Sequence, residues 1–293
     1  MDKSEKTKGA AVAIIGSPNA GKSTLLNKIL GKKISIVTDK PQTTEERILG
    51  INTEGNCQIL FYDTPGIGKP IGERAARINR VAEHAAHEMD FLLFIIDTVK
   101  GFGENDRGIL KNVAKLEKPI IVVLNKMDLS NNMKAVPIVE EISKAVKVAE
   151  FVPISAKTGD NVDKLLEVIR QYAPENPFLY DEDELTNLDD NFAAAEFIRE
   201  QIYINSDNEI PYRTIVKIDT MEDAEDGSLN ISAEIVADNE RHRKMLIGHE
   251  GSFIKKVRLY ARKRLKEYFE RPVALELFVK AKKGGVDKKR RKR

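Results

Sequence analysis

Short apolar runs alternate with helix-spaced stretches over residues 10–172. The runs AAVAIIG (10–16), ILGINT (48–53), CQILFYD (57–63), DFLLFIID (90–97), KPIIVVLN (118–125) and EFVPIS (150–155) have the length and boundaries of strands. Glu54-Gly55-Asn56, between the second and third runs, reads as a hairpin turn. Helical spacing of apolar residues appears around 21–30, 72–89, 104–117, 134–148 and 160–172. Buried strands separated by helices predict an α/β fold: a doubly wound, mostly parallel sheet covered on both faces. The 48–63 hairpin would supply one antiparallel edge.

The alternation stops at APENPFLYDEDELTNLDD (173–190), where two prolines and a run of acids predict a linker or a docking strap. A second pattern follows, with a helix at 191–203, strands at 212–219 and 228–238, a short basic helix at 241–247, a long basic helix at 252–270 and a strand at 271–282. The order α-β-β-α-α-β predicts a smaller α+β domain. The expected division is therefore a first domain over 9–173, a linker over 174–190, a second domain over 191–283 and a basic tail over 284–293.

The chain has 293 residues, of which 41% are hydrophobic and 32% charged, enough for a real core under a polar surface. The net charge of +2 hides an asymmetry. From Arg241 to the end there are 20 Lys/Arg and 5 Asp/Glu, whereas Asp181–Glu240 holds 3 and 18. A basic module of this size predicts a polyanionic partner. The single cysteine, Cys57, allows no intrachain disulfide and fits a reducing, cytoplasmic setting as a small core residue. The polar N-terminus has no signal-peptide core, and the longest apolar run, Phe91–Ile96, is too short to span a bilayer, so no transmembrane segment is expected.

GSPNAGKS (16–23) fits GxxxxGK[ST] between a strand and a helix. Gly16, Ser17, Pro18, Asn19, Ala20 and Gly21 would curl backbone N–H groups around phosphates, aided by the helix N-terminus. Lys22 would reach the β- and γ-phosphates, and the Ser23 hydroxyl would ligate Mg²⁺. Asn19 is a candidate K⁺ ligand beside the phosphates. NKMD (125–128) ends another strand and selects the base. Asp128 can accept from guanine N1–H and N2–H, an arrangement adenine cannot return, while Asn125 and the Lys126 stem brace the loop and the base. Ser155, Ala156 and Lys157 would offer backbone N–H groups to guanine O6. In DTPG (63–66), Asp63 would hold Mg²⁺ through water and the Gly66 N–H would meet the γ-phosphate, with Thr64 and Pro65 between them. Thr44 is the expected second Mg²⁺ ligand, formed only with a γ-phosphate, which makes 33–46 and 67–80 switch segments. Lys22, Thr44 and Gly66 form the expected catalytic set. Ile67 stands where a water-orienting Gln would be useful, so slow intrinsic hydrolysis is expected.

In the second domain, IGHEGSFI (247–254) is a two-glycine turn between helices. Within α-β-β-α-α-β it suits a KH module, whose turn admits an RNA backbone while Ile247 and Ile254 border a groove for unpaired nucleotides. Gly248, His249, Glu250 and Gly251 form the turn, and Lys255, Lys256 and Arg258 would pair with phosphates.

The motifs GSPNAGKS, KPQTTEER, DTPG, NKMD and SAK, joined to IGHEG, resemble the Era GTPase family over about residues 10–285. AAEFIREQIY, EIPY and PVALELFVKAKKG resemble that family's second domain. The resemblance implies a Ras-like P-loop GTPase domain and a type II KH domain, with GTP and GDP as nucleotides. It also implies binding to the 3′ end of small-subunit ribosomal RNA, a role in assembling the 30S subunit, and peripheral association with the cytoplasmic face of the inner membrane. Glu45 and Glu250 depart from the family's pattern. A GTP-controlled protein or membrane adaptor with a degenerate KH domain is the alternative.

Overall fold

Phe91–Asp97 is buried at every position, as a strand covered on both faces must be. The computed structural model describes residues 6–35, 48–63, 88–206 and 214–282. The described chain divides into two units, Met1–Asn187 and Leu188–Arg293. Thr44, Glu45, Thr64, Pro65, Gly66 and Ile67, most of both switch segments, the helix around 72–89 except its end, EIPY and the basic tail lie outside the described residues.

The first unit contains β1 (Lys8–Gly16), β2 (Ile48–Glu54), β3 (Cys57–Asp63), β4 (Phe91–Asp97), β5 (Ile120–Asn125) and β6 (Glu150–Pro153). The sheet order is β2-β3-β1-β4-β5-β6. All neighbours are parallel except the β2–β3 hairpin, the expected antiparallel edge. The described helices are α1 (Lys22–Leu30), α2 (Glu104–Ala114), α3 (Asn132–Ala145) and α4 (Val162–Tyr172). On one face, Ala13, Ile15, Leu92, Phe94 and Ile96 pack with Ile109, Leu110 and Val113 of α2 and Ile138 and Ile142 of α3. The expected helix over 134–148 ends earlier because Val146 turns extended, while Val146 and Val148 still pack on this core. Cys57 is buried, and burial pushes its thiol pKa up, which keeps it unreactive.

The segment expected as a linker belongs, up to Asn187, to the first unit, so the division falls later than residue 173. It is held as a strap. Gly9 N donates to Pro174 O at 3.0 Å and Asn176 Nδ2 to Gly9 O at 3.0 Å. Farther along, Ile51 N donates to Leu185 O at 2.8 Å and Thr186 Oγ1 to Leu49 O at 2.6 Å, satisfying the outer backbone of edge strand β2. Tyr180 adds an aromatic ring to the small cluster of Leu49, Ile51 and Leu60.

The second unit has the expected order: α5 (Asp190–Asn205), β7 (Thr214–Asp223), β8 (Leu229–Ala237), α6 (Glu240–Ile247), α7 (Ser252–Phe269) and β9 (Val273–Ala281). β8 is central, antiparallel to β7 and parallel to β9. Burial alternates along β8, and Ile231, Ala233 and Ile235 meet Phe197 and Ile198 of α5 and Val257, Ala261 and Leu265 of α7. The four-residue spacing of that α7 stripe leaves the remaining faces to its cations.

Leu265→Ala removes a fully buried side chain from the second core. It is expected to destabilise that unit by about 2–5 kcal/mol. Chemical denaturation should show the loss, and GDP titration should show unchanged affinity if the units hold separate cores.

Candidate functional site

The carboxyl ends of β1, β3, β4 and β5 carry Gly16, Asp63, Asp97 and Asn125, so the parallel sheet gathers the site at one edge. From Gly16 the chain turns through Ser17, Pro18, Asn19, Ala20 and Gly21 into α1. Asn19 adopts φ 64° and Gly21 φ 103°. A Cβ at Gly21 would lie 2.2 Å from Asn125 Nδ2, so only glycine fits this close approach. Asn125, 2% exposed, donates from Nδ2 to Ala20 O at 2.8 Å and accepts at Oδ1 from Ala156 N at 2.9 Å. One amide thus joins the phosphate loop to the 155–157 loop. The Ala156 N–H expected to meet guanine O6 is already donated to Asn125, so a base carbonyl placed there shares that donor.

At the phosphate end, Lys22 is buried and its Nζ donates to Gly16 O and Ser17 O, both at 3.2 Å. Burial pulls its pKa down, while Asp63 and Asp106 pull it up. Ser23 Oγ donates to Asp63 Oδ2 at 2.6 Å. A hydroxyl and a carboxylate that converge this closely are hard oxygen donors of the kind Mg²⁺ takes. Among the described residues no group of three or more His, Cys, Asp or Glu could hold an ion alone.

Sequence reasoning missed five contributors: Ser35, Asn27, Asn105, Asp106 and Asp97. Ser35 Oγ donates to the same Asp63 Oδ2 at 3.0 Å. Asn27 of α1 clamps the start of the first switch segment: its Oδ1 accepts from Ile34 N and Ser35 N at 2.8 and 2.9 Å, and its Nδ2 donates to Ser35 O at 2.9 Å. Ser17 Oγ donates to Asp106 and accepts from Asn105 Nδ2, which ties the phosphate loop to the start of α2. Each joins residues too far apart in sequence for a local motif, and only Asp97, closing an apolar run, carried a readable sign.

At the base end, Lys126 adopts φ 68° and its Nζ pairs with Asp97 Oδ2 at 2.7 Å. Asp128 is exposed, and its Oδ1 accepts from Ser155 Oγ at 2.7 Å. Ala156 is buried and Lys157 exposed.

In the second unit, Gly248 (φ 76°), Glu250 (φ 50°) and Gly251 (φ 76°) all adopt left-handed or related conformations. A Cβ at Gly248 would meet Phe253 N at 2.7 Å, which explains the first glycine. Glu250 adopts this region without glycine's freedom, and its carbonyl accepts from Lys255 Nζ at 3.0 Å. His249, Glu250, Lys255, Lys256 and Arg258 are exposed, and Ile247 and Ile254 are half-buried beside them. Leu259 and Tyr260 are exposed on the same helix, a feature that helical spacing alone did not reveal.

Residues 11–126 match the family described as 50S ribosome-binding GTPase, and residues 209–285 match the KH domain. The GTPase Era of Ruminiclostridium cellulolyticum is 37% identical over 275 residues, spanning 94% of this chain and 92% of that protein. The chain belongs to the Era GTPase family. An Era variant from Aquifex aeolicus, crystallised with GDP and AlF4⁻, superposes with a TM-score of 0.89 at 38% identity, covering 94% of both chains. An Era crystallised with MgGDPNP and nucleotides 1506–1542 of 16S ribosomal RNA superposes with a TM-score of 0.88 at 38% identity, again over 94% of both chains. The Ras-like and KH assignments of the two units follow from this membership.

Ser35→Ala removes one hydrogen bond from Asp63 and leaves Ser23 in place. It should speed GDP release about tenfold in Mg²⁺ and change it less than about twofold in EDTA. Stopped-flow release of a fluorescent GDP analogue separates the two.

Proposed function

We propose that this member of the Era GTPase family is a GTP-hydrolysing switch that binds single-stranded RNA of the 16S 3′-end type and acts in assembling the 30S ribosomal subunit. The observation that carries the reading is the joining, in one chain, of the GSPNAGKS, NKMD and SAK segments at one sheet edge to a two-glycine turn flanked by exposed cations. Support for the small subunit comes from the similar Era crystallised with MgGDPNP and nucleotides 1506–1542 of 16S ribosomal RNA. The family description matched by the first unit names the 50S ribosome, so the 30S assignment leans on that similar Era and its 16S fragment.

In this reading Gly16 to Ser23 hold the phosphates, Lys22 meets the β- and γ-oxygens, and Ser23 and Asp63 hold Mg²⁺. The ion neutralises phosphate charge. Asp128 accepts from the guanine edge while Asn125 and Lys126 set its loop, and Ser155, Ala156 and Lys157 border O6. Thr44 and Gly66 complete the GTP state, together with Thr64 and Pro65. Ile67 offers no polar group to orient water, so intrinsic hydrolysis is slow. Asn19, at the left-handed tip of the phosphate loop, is the K⁺ ligand of the proposal. Gly248 and Gly251 let RNA backbone approach the groove between Ile247 and Ile254, and Lys255, Lys256 and Arg258 pair with phosphates. Among the described residues no helix is long and apolar enough to cross a membrane. We place the protein in the cytoplasm, with any contact at the inner membrane peripheral.

One observation favours the adaptor alternative: Glu250 puts an exposed acid inside the turn. RNA binding at several salt concentrations, with GDPNP and with GDP, decides between the readings. An RNA switch gives nucleotide-dependent affinity that falls steeply with salt, and an adaptor gives neither.

Asp128→Asn should lower GTP affinity at least about a hundredfold and raise preference for xanthosine triphosphate. An unchanged GTP preference in competition binding would overturn the base assignment. Lys256→Ala should weaken RNA binding across sequences and reduce the salt slope by about 1. Single-turnover hydrolysis should run faster in KCl than in NaCl, and equal rates would remove the K⁺ role.

A further inference from the structure

Gln58 is 2% exposed in the middle of β3, where an apolar side chain would serve packing alone. A buried amide is tolerated only when its donors and acceptor are used. Here all of them are. Oε1 accepts from Leu179 N at 2.9 Å and from Tyr180 N at 3.2 Å. Nε2 donates to Tyr180 O at 2.9 Å and to Thr53 Oγ1 at 3.0 Å. One side chain therefore binds β3, β2 and the strap together.

The two strands it joins are those that lead out of one switch segment and into the other. β2 starts at Ile48, just after residues 36–47, and β3 ends at Asp63, the residue that meets Ser23. The strap has two kinds of anchor. Its start is bonded to Gly9 on β1, in the middle of the sheet. Its later part is bonded to the hairpin, through Gln58, Ile51 and Thr186. A half-open cavity of about 260 Å³ lies beside these anchors, lined by Ala11, Leu60, Pro177 and Leu179 as well as by Gly9 and Gln58. Three residues beyond Thr186, Asp189 caps α5 of the KH unit by accepting from Phe192 N at 2.6 Å.

We propose that Gln58 is a positioning residue that transmits the state of the nucleotide site to the KH unit by clasping the strap to the inter-switch hairpin. The hairpin holds the strap's later part, and the strap is the covalent lead into α5. The inference rests on the proposed nucleotide-dependent RNA binding and names the element that conveys it. Coupling of this kind is a ratio of affinities, distinct from stability or from either affinity alone.

The test uses the full chain and an RNA oligonucleotide of the 16S 3′-end type, with Kd measured in GDPNP and in GDP. Gln58→Met keeps the side-chain volume and removes all four hydrogen bonds. Thr186→Val loosens the same strap without entering the core, and it decides the matter if Gln58→Met does not fold. In both variants GDP affinity should stay within about twofold, while the ratio of the two RNA affinities moves at least about threefold toward unity. An unchanged ratio in the folded variants overturns the inference and leaves the RNA-switch reading intact. A ratio of one in the unaltered protein overturns that reading, and this inference with it.

Discussion

The nucleotide site depends on one buried carboxamide. Asn125 reaches backward to a carbonyl of the phosphate loop and forward to an amide of the 155–157 loop. Three chain segments more than a hundred residues apart at the extremes thereby share a geometry. The close approach at Gly21 follows from the same contact, since the carboxamide occupies the space a side chain would need. The phosphate loop, the NKMD segment and the 155–157 loop are thereby joined at one sheet edge, on strands that are buried.

Around that edge, carboxylates gather hydroxyls, amides and an ammonium group from neighbouring segments. Asp63 gathers hydroxyls from the first helix and from the start of the first switch segment. Asp97 holds the Lys126 ammonium and also accepts from Val99 N. Asp106 steadies both the phosphate loop and the start of α2, accepting from Ser17 and from Gly103 N. These acids lie at strand ends or helix starts, where backbone N–H groups and nearby cations offset the cost of partial burial.

The strands, their burial and the antiparallel edge were legible because each is encoded within a handful of residues. The same holds for Gly16–Ser23 and Asn125–Asp128, whose chemistry is contiguous. Ser35 beside Asp63, Asn27 beneath Ser35 and Gln58 under Leu179 were not legible. Each is a polar residue whose partner is set by the fold, across 28, 8 and 121 positions. Segment 173–190 read as either a linker or a docking strap from its prolines and acids, and its backbone, as far as Thr186, supplies what the edge strand lacked. Composition reports how a segment behaves alone, and here the neighbouring strand decided.

That last feature bears on where the GTPase unit can be separated. Removed after residue 173, it would lose the cover over β2, leaving Ile51 N–H and Leu49 C=O open to solvent along an unprotected margin. Such a margin can recruit the matching strand of a second molecule. The smallest self-sufficient piece therefore extends through Thr186, and what looks like a tether in composition works as the sheet's hem.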